Sequence, residues 1–244
     1  MLETTCDDVL FGKVRLLQPL HGQRVSMDTV LLAAWVKVRS GTRDILEAGC
    51  ASGAVSLMLA MKHERVRVTG VDIQPELVEL ANINASNNGL AGRVAFIAGD
   101  IRDKSLLSRE KFDILAFNPP YSSLNAGRES PDFSRTTSRL EVSCTPDDVG
   151  ELAHRVLKSR GRLFTIFTSG RMDVFLSAMR NHRMTPKRLR PVYPNMHYNS
   201  GVFLCECVKD GGEGMSVLPP LFVRDDDGGY TAEILKAYEP DGHI

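Results

Sequence analysis

The sequence contains no apolar run of the roughly 18 residues that a membrane-spanning helix needs. Its N-terminus also lacks the basic segment followed by an apolar segment that is typical of a secretory signal. These absences predict a cytoplasmic protein without a membrane partner. With 244 residues, of which 43% are hydrophobic and 25% charged, the chain is long enough for one large α/β domain with a buried core.

Cysteine pairs at metal-binding spacing are missing as well. The chain has five cysteines, an odd number, and none of them stands in a C-x-x-C motif or near a pair of histidines. We therefore expect reduced thiols, no disulfide framework and no metal site. The five positions are Cys6, Cys50, Cys144, Cys205 and Cys207.

The chain has no net charge, since 30 basic residues balance 30 acidic ones. Composition alone therefore indicates no polyanionic partner. The charge is unevenly distributed, however, because ten Lys and Arg but only two acids lie between Glu151 and Arg190. Such an excess is typical either of a face that binds phosphate or of a solvated helix surface, and the count does not separate the two.

Strand-like and helix-like segments alternate from Gly41 almost to the end of the chain, which is the pattern of parallel strands joined by crossover helices. We predict an α/β fold with a doubly wound, mostly parallel, seven-stranded Rossmann-like sheet in residues 41–244. Residues 1–40 are predicted to add a hairpin and a helix, and a short edge strand at 217–223 is predicted near the C-terminus. The seven predicted strands are 44–48, 66–72, 94–98, 112–117, 162–168, 187–192 and 202–208.

The first turn of this sheet, from Glu47 to Gly53, has the composition of a cofactor site. In doubly wound sheets, ligands bind beyond the carboxyl ends of the strands. Gly49 and Gly53 let backbone approach a ligand at a helix N-terminus, and Glu47 offers a carboxylate to an ammonium group. A dinucleotide site would need glycine in place of Ala51, and an acid is a poor neighbour for pyrophosphate. The turn therefore favours a zwitterionic amino acid carrying a sulfonium over NAD.

Acids also end the next two predicted strands. Asp72 comes 23 residues after Gly49, the separation at which a carboxylate accepts hydrogen bonds from ribose hydroxyls. Asp100 is placed to accept from an adenine amine, while its apolar neighbour Ile101 packs on the ring. Ile73, beside Asp72, is included among the cofactor contacts. The set predicts S-adenosylmethionine as the cofactor.

The fourth predicted strand stops at Asn118-Pro119-Pro120-Tyr121, the candidate catalytic residues. An amine attached to a ring or carbonyl attacks poorly because its lone pair is delocalised. The Asn118 side-chain oxygen and the Pro119 carbonyl can each accept one N–H and aim the lone pair at a methyl group. The prolines fix the backbone, and Tyr121 offers a ring for stacking.

These features together resemble the class I S-adenosylmethionine-dependent methyltransferases, and N-P-P-Y narrows the resemblance to the branch that methylates amino groups. Other segments are similar to the bacterial tRNA1(Val) (adenine-37-N6)-methyltransferases, and this similarity covers nearly the whole chain. The segments are Gln18 with residues 21–32, the loop at 127–139, and residues 223–225 and 229–231.

The resemblance implies tRNA as the partner, an adenine beside the anticodon as the acceptor and S-adenosylmethionine as the methyl donor. It assigns Gly49, Gly53, Asp72 and Asp100 to the cofactor, with Asp28 as a further contact, and residues 118–121 to the adenine. It makes the basic stretch up to Arg190, with Arg128, Arg135 and Arg139, candidate phosphate contacts. The family usually has glycine at the position of Ala51, a departure that bears on cofactor affinity.

Three other functions are compatible with parts of this pattern. N-P-P-Y also serves enzymes that methylate a glutamine amide in peptide release factors, but those carry a helical substrate domain ahead of the cofactor turn, and 43 residues precede Asp44 here. A DNA adenine methyltransferase would usually need a separate recognition domain, for which no segment is found. Ala51 alone favours a non-catalytic module that keeps the fold as a partner surface.

Overall fold

A computed structural model of the chain describes residues 2–109, 111–119 and 144–244, and these residues contain eleven strands and six α-helices. The strands are β1 (Thr4–Val9), β2 (Val14–Pro19), β3 (Asp44–Ala48), β4 (Arg67–Asp72), β5 (Val94–Ala98), β6 (Phe112–Phe117), β7 (Leu157–Thr168), β8 (Met184–Tyr193), β9 (Val202–Lys209), β10 (Ser216–Val217) and β11 (Leu221–Phe222). The helices are α1 (Met27–Trp35), α2 (Ala54–Lys62), α3 (Pro75–Asn87), α4 (Pro146–Val156), α5 (Met172–Asn181) and α6 (Ala232–Ala237), with a 3-10 turn at Ser169–Arg171.

The main sheet has the order β10-β8-β9-β7-β6-β3-β4-β5, and β11 also pairs with β8. Strands β3 to β7 run parallel to one another, whereas β9 is antiparallel to both of its neighbours, β7 and β8. The predicted α/β fold with a mostly parallel sheet is thus confirmed, and the seven predicted strands correspond to β3 to β9. The sheet has nine strands because two short ones, β10 and β11, replace the single strand expected at 217–223. Pro219 and Pro220 separate them, since proline cannot donate to a ladder.

Strand β7 begins earlier than the segment 162–168 that the sequence predicts. Leu157 already pairs with Phe112, and the next pair is Arg162 with Ile114, so four residues of β7 bulge out between the two pairs. Arg160, in this bulge, has a φ of 61°, in the left-handed region. An irregular segment of this kind hides the start of a strand from any alternating pattern.

The helices begin where their sequences provide capping groups. α3 starts with Pro75, whose fixed φ suits the first turn of a helix. At α4, the Thr145 hydroxyl accepts from the Asp148 backbone N–H at 3.2 Å, while the Asp148 carboxylate accepts from the Thr145 N–H at 2.8 Å. This reciprocal capping box fixes the helix start.

Helices cover both faces of the sheet, as a doubly wound fold requires. Side chains of α1, α2, α3 and α6 form a core with one face, and those of α4 and α5 form a second core with the other. Trp35, fully buried, fills the first core. Phe175 and Phe203 meet edge to face in the second, with ring centroids 5.5 Å apart.

The N-terminal hairpin β1–β2 is attached to the main domain by a buried amide. Asn84, on α3, accepts from the Leu17 N–H at 2.8 Å and donates to the Leu17 carbonyl at 2.9 Å. The same side chain donates to the Ser52 carbonyl at 3.0 Å. One side chain therefore links β2 directly to the turn that precedes α2.

The C-terminal helix α6 was not predicted from the sequence, because six residues are too few to show a helical period. It is held by Arg190, whose guanidinium binds both carboxylate oxygens of Glu233 at 2.6 and 2.8 Å. Within the part of the chain that the structure describes, no helix combines the length and the apolar character needed to cross a membrane.

Candidate active site

The strand register brings the candidate site residues to one edge of the sheet. Phe117 pairs with Ala48, so Asn118 follows beside Gly49. Ala48 also pairs with Val71, which places Asp72 on the other side of Gly49. Neighbouring strands lie about 4.8 Å apart, so these three residues span roughly 10 Å. Asp100 follows two residues after Ala98, the last residue of the adjacent strand β5.

The turn between β3 and α2 has a left-handed backbone at three positions. Gly49, Ala51 and Gly53 have φ values of 65°, 45° and 87°. Only glycine adopts this region without strain, and an L-residue there costs roughly 1–2 kcal/mol. This backbone requirement explains why glycine is expected at the position of Ala51.

Asp72 holds the backbone of the turn between β3 and α2 through a hydrogen bond. Its side chain is 4% exposed, and its two oxygens accept from the backbone N–H groups of Ala51 at 2.8 Å and Gln74 at 3.0 Å. Burial raises the pKa of this carboxyl, while the hydrogen bonds from Gln74 and Ala51 act in the opposite direction. Ile73, next in the chain, is 45% exposed and offers an apolar surface at the same edge.

Glu47 lies beneath α2, where the sequence did not place it. Its Oε2 accepts from both the backbone N–H of Ser56, at 2.8 Å, and the Ser56 hydroxyl, at 2.5 Å. Ser56 is a partner that sequence reasoning missed. Complete burial raises the pKa of Glu47 to about 8, although the Ser56 bonds lower it. The carboxyl therefore fixes the first turn of α2 as well as lying close to the cofactor turn.

We expect the stability of the fold to decrease as pH rises from about 4.5 to 8. The pKa of Glu47 is about 8 in the folded chain and near its ordinary value of 4.5 in the unfolded chain. The folded state binds more protons in this window, so this residue removes on the order of a few kcal/mol of stability by pH 8. Glu47→Gln should reduce the difference between the unfolding free energies measured in urea at pH 5 and pH 8.

Glu79→Gln removes an exposed carboxylate from α3 and serves as the matched control. In this variant, the difference between the unfolding free energies at pH 5 and pH 8 should be the same as in the parent chain. If the unfolding free energy depended on pH equally in the parent and in Glu47→Gln, Glu47 would not be the cause of this pH dependence.

Asp100 already has a partner. The Arg102 guanidinium contacts both carboxylate oxygens, with Nε at 3.0 and 3.1 Å and Nη2 at 2.5 Å. This hydrogen bond lowers the pKa of Asp100. The sequence analysis did not predict Arg102 as the partner of Asp100, although it stands only two residues further along the chain. Ile101 is half-buried and packs against the second core.

The reacting half of the site is described as far as Pro119. Asn118 is half-buried and Pro119 buried, and the ring of Phe117 lies 3.4 Å from where a Cβ on Gly49 would be. Asp28 is half-buried in the first turn of α1. The predicted residues outside the described part of the chain are Pro120, Tyr121, Arg128, Arg135 and Arg139.

The basic stretch does not form one free face. Arg155 donates to the carbonyls of Leu106 at 2.7 Å and Ile101 at 2.8 Å. Lys158 pairs with Asp44 and Asp113, and Arg190 is the residue that holds α6. Much of the charge excess therefore serves the fold.

Comparison with known proteins identifies the fold family. The family model described as "Methyltransferase domain" matches residues 40–197, more than half of the chain. The chain belongs to this methyltransferase family. A curated relative from Porphyromonas gingivalis, named tRNA1(Val) (adenine(37)-N6)-methyltransferase, is 30% identical over 228 residues, covering 89% of this chain and 88% of the relative. One of the same name from Yersinia enterocolitica is 32% identical over 139 residues, covering 57% of this chain and 54% of the relative. The predicted resemblance is confirmed.

Solved structures support the methyltransferase fold. A predicted O-methyltransferase from Agrobacterium tumefaciens superposes with a TM-score of 0.72 at 17% identity, covering 89% of this chain and 98% of that one. A geranyl diphosphate C-methyltransferase from Streptomyces coelicolor, solved with S-adenosyl-L-homocysteine, gives 0.52 at 14% identity, with coverage of 69% and 76%. At these identities the likeness concerns the fold alone.

S-adenosylmethionine fits the described edge of the methyltransferase. Gly49 is exposed in the turn that leads to α2, and the exposed Ile73 gives an apolar surface for a ring. Gly53, in contrast, is buried against Phe96 and lets the turn pack closely on the core. Among the described residues, no three His, Cys, Asp or Glu side chains gather into a group that could hold a metal ion.

Proposed function

We propose that the protein transfers a methyl group from S-adenosylmethionine to the exocyclic N6 amine of an adenine in tRNA, next to the anticodon. The observation that carries this proposal is the position of Asn118 and Pro119, which follow β6 directly beside the Gly49 turn. Two hydrogen-bond acceptors thus stand next to the cofactor turn. The curated relatives carry a tRNA adenine name, which favours adenine over a glutamine amide or a non-catalytic role.

In the proposed reaction, the side-chain oxygen of Asn118 and the carbonyl of Pro119 each accept one N–H of the adenine amine. These bonds draw the nitrogen lone pair out of conjugation and orient it in line for displacement. The cofactor, when bound, supplies a methyl group on a positively charged sulfur. As the new N–C bond forms and the S–C bond breaks, the amine becomes cationic and loses one proton to solvent. Tyr121 is proposed to stack on the adenine ring.

A second feature of the same edge suits an RNA substrate. The segment between β8 and β9 exposes Met196 and Tyr198, which are 61% and 65% accessible. It is joined to the end of β7 by a hydrogen bond between the hydroxyls of Ser169 and Ser200 at 2.7 Å. An exposed aromatic ring at the same edge of the sheet as Asn118 is suited to stacking on unpaired bases of an RNA loop.

The test is methyl transfer from radiolabelled S-adenosylmethionine to total tRNA and, separately, to a protein extract, followed by nucleoside analysis. We expect label in tRNA as N6-methyladenosine and none in protein. Label in protein would replace the proposal with the glutamine-amide function. Absence of label despite measurable cofactor binding would favour a non-catalytic module.

A further inference from the structure

A cavity of about 460 Å³ lies on the α1 side of the sheet and is lined mainly by cations. Glu206 is the acidic residue among its lining side chains. The six cationic side chains are Lys37, Arg39, Arg160, Arg162, Lys187 and Arg188.

The cavity is separate from the candidate active site. Arg162 pairs with Ile114 of β6, and Asn118 comes four residues later along the chain. At about 3.3 Å per residue this is roughly 13 Å along the strand direction. Arg188 stacks over the ring of Trp35 at 4.1 Å, which places the cavity beside the C-terminal end of α1. The cavity therefore lies towards the amino ends of the strands.

The positive charge of the cavity is only partly neutralised. Glu206 is 3% exposed, and its two oxygens pair with Arg162 at 2.9 Å and Arg188 at 3.0 Å. One carboxylate is thus shared between two guanidinium groups. Among the described residues, the exposed side chains of Lys37 and Arg39 form no ion pair.

The other two cations are oriented by neutral groups. Lys187 Nζ donates to backbone carbonyls of residues 212–214, and Arg160 donates to the Asp210 carbonyl at 3.0 Å. Carbonyl oxygens hold these side chains in place without cancelling their charge. Six cations held around one cavity with a single carboxylate repel one another, and a bound anion would relieve this repulsion.

We propose that this cavity binds phosphate groups, supplied either by an RNA backbone or by a free polyphosphate. Guanidinium groups match phosphate geometry with two parallel hydrogen bonds, and lysine adds point charge. The volume lies within the range of pockets that hold small ligands. The cavity shares no residue with the candidate active site. Its RNA source rests on the proposed tRNA substrate, whereas binding of a free polyphosphate does not.

The test measures binding of tripolyphosphate and of a short oligouridine, which offers phosphates but no adenine. Lys37→Glu/Arg39→Glu reverses two exposed charges after α1 and should weaken binding at least tenfold. Lys13→Glu/Arg65→Glu makes the same change in net charge at exposed positions outside the cavity and should change affinity less than twofold. Thermal unfolding of both variants checks that each is folded, and Lys37→Gln/Arg39→Gln should give an intermediate loss.

The two probes distinguish the sources of phosphate. If the charge-reversed variant loses oligouridine binding alone, the cavity is assigned to an RNA backbone. The slope of log affinity for oligouridine against log salt concentration should then be smaller in magnitude by about 1.4 in this variant, because two phosphate contacts are lost. Loss of tripolyphosphate binding alone assigns it to a small anion, and loss of both means that it accepts either. Equal affinities in the charge-reversed variant and in its control, for both probes, would overturn the proposal.

Discussion

Replacing Asn118 with alanine is expected to lower the rate of methyl transfer by about 10²–10³-fold, the usual cost of removing one positioned polar group at a reacting centre. The affinity for S-adenosylmethionine should stay within about twofold, because Asn118 is assigned to the acceptor amine and not to the cofactor. Single-turnover transfer to tRNA and calorimetric titration of the cofactor measure the two quantities independently.

Asn181→Ala provides the matched control, since it removes the same amide from an exposed position at the end of α5. It should retain full activity. If Asn118→Ala lost cofactor affinity and kept its turnover, Asn118 would belong to the cofactor half of the site.

Gly53→Ala is expected to destabilise the fold by about 2–5 kcal/mol. The backbone of Gly53 has a φ of 87°, which costs an L-residue roughly 1–2 kcal/mol. A Cβ there would lie 2.5 Å from Cζ of Phe96 and 3.2 Å from Cβ of Ala81, so the packed core would have to shift, at about 1–3 kcal/mol. Urea unfolding measures the loss, and because Gly53 precedes α2, cofactor affinity should also fall.

Gly41→Ala distinguishes this effect from the general consequence of replacing a glycine. A Cβ on Gly41 would meet no atom within 4 Å. Its replacement should change the unfolding free energy by less than about 0.5 kcal/mol. A similar loss in both variants would mean that neither the left-handed backbone of Gly53 nor the contact with Phe96 causes the effect.

The sequence predicts the edge of the site well because its signals are local. Buried parallel strands appear as short apolar runs, and each run stops at a residue that breaks or caps it, such as Gly49, Asp72 or Asn118. Parallel topology then brings the carboxyl ends together without further information. The assignment of these residues to cofactor and acceptor stays a prediction.

The sequence predicts poorly which polar side chains are already paired. Glu47 and Asp100 were expected to face a ligand. In the structure, however, Glu47 accepts hydrogen bonds from Ser56, and Asp100 accepts them from Arg102. Such pairings depend on side-chain directions in the folded chain, which residue spacing does not fix. The positive φ of Ala51 is likewise a property of the folded turn.

The charge count between Glu151 and Arg190 cannot identify a phosphate-binding face, for a similar reason. Counting treats all ten cations alike, whereas folding commits Lys158 to two carboxylates and Arg190 to Glu233. Arg162 and Arg188 share Glu206 within the cavity. Only the folded sheet shows which cations gather on one side and which support the structure.

The amide of Asn84 has a consequence for folding during synthesis. The β1–β2 hairpin leaves the ribosome before α3, and the side chain that receives it is 67 residues further along the chain. An isolated two-stranded hairpin is at best marginally stable. The hairpin therefore cannot form its hydrogen bonds with Asn84 until α3 has been made. Once α3 forms, the same amide closes on Leu17 and Ser52 together. The hairpin is thus made before α3 but is fixed only after it, by the same amide that holds the turn ahead of α2.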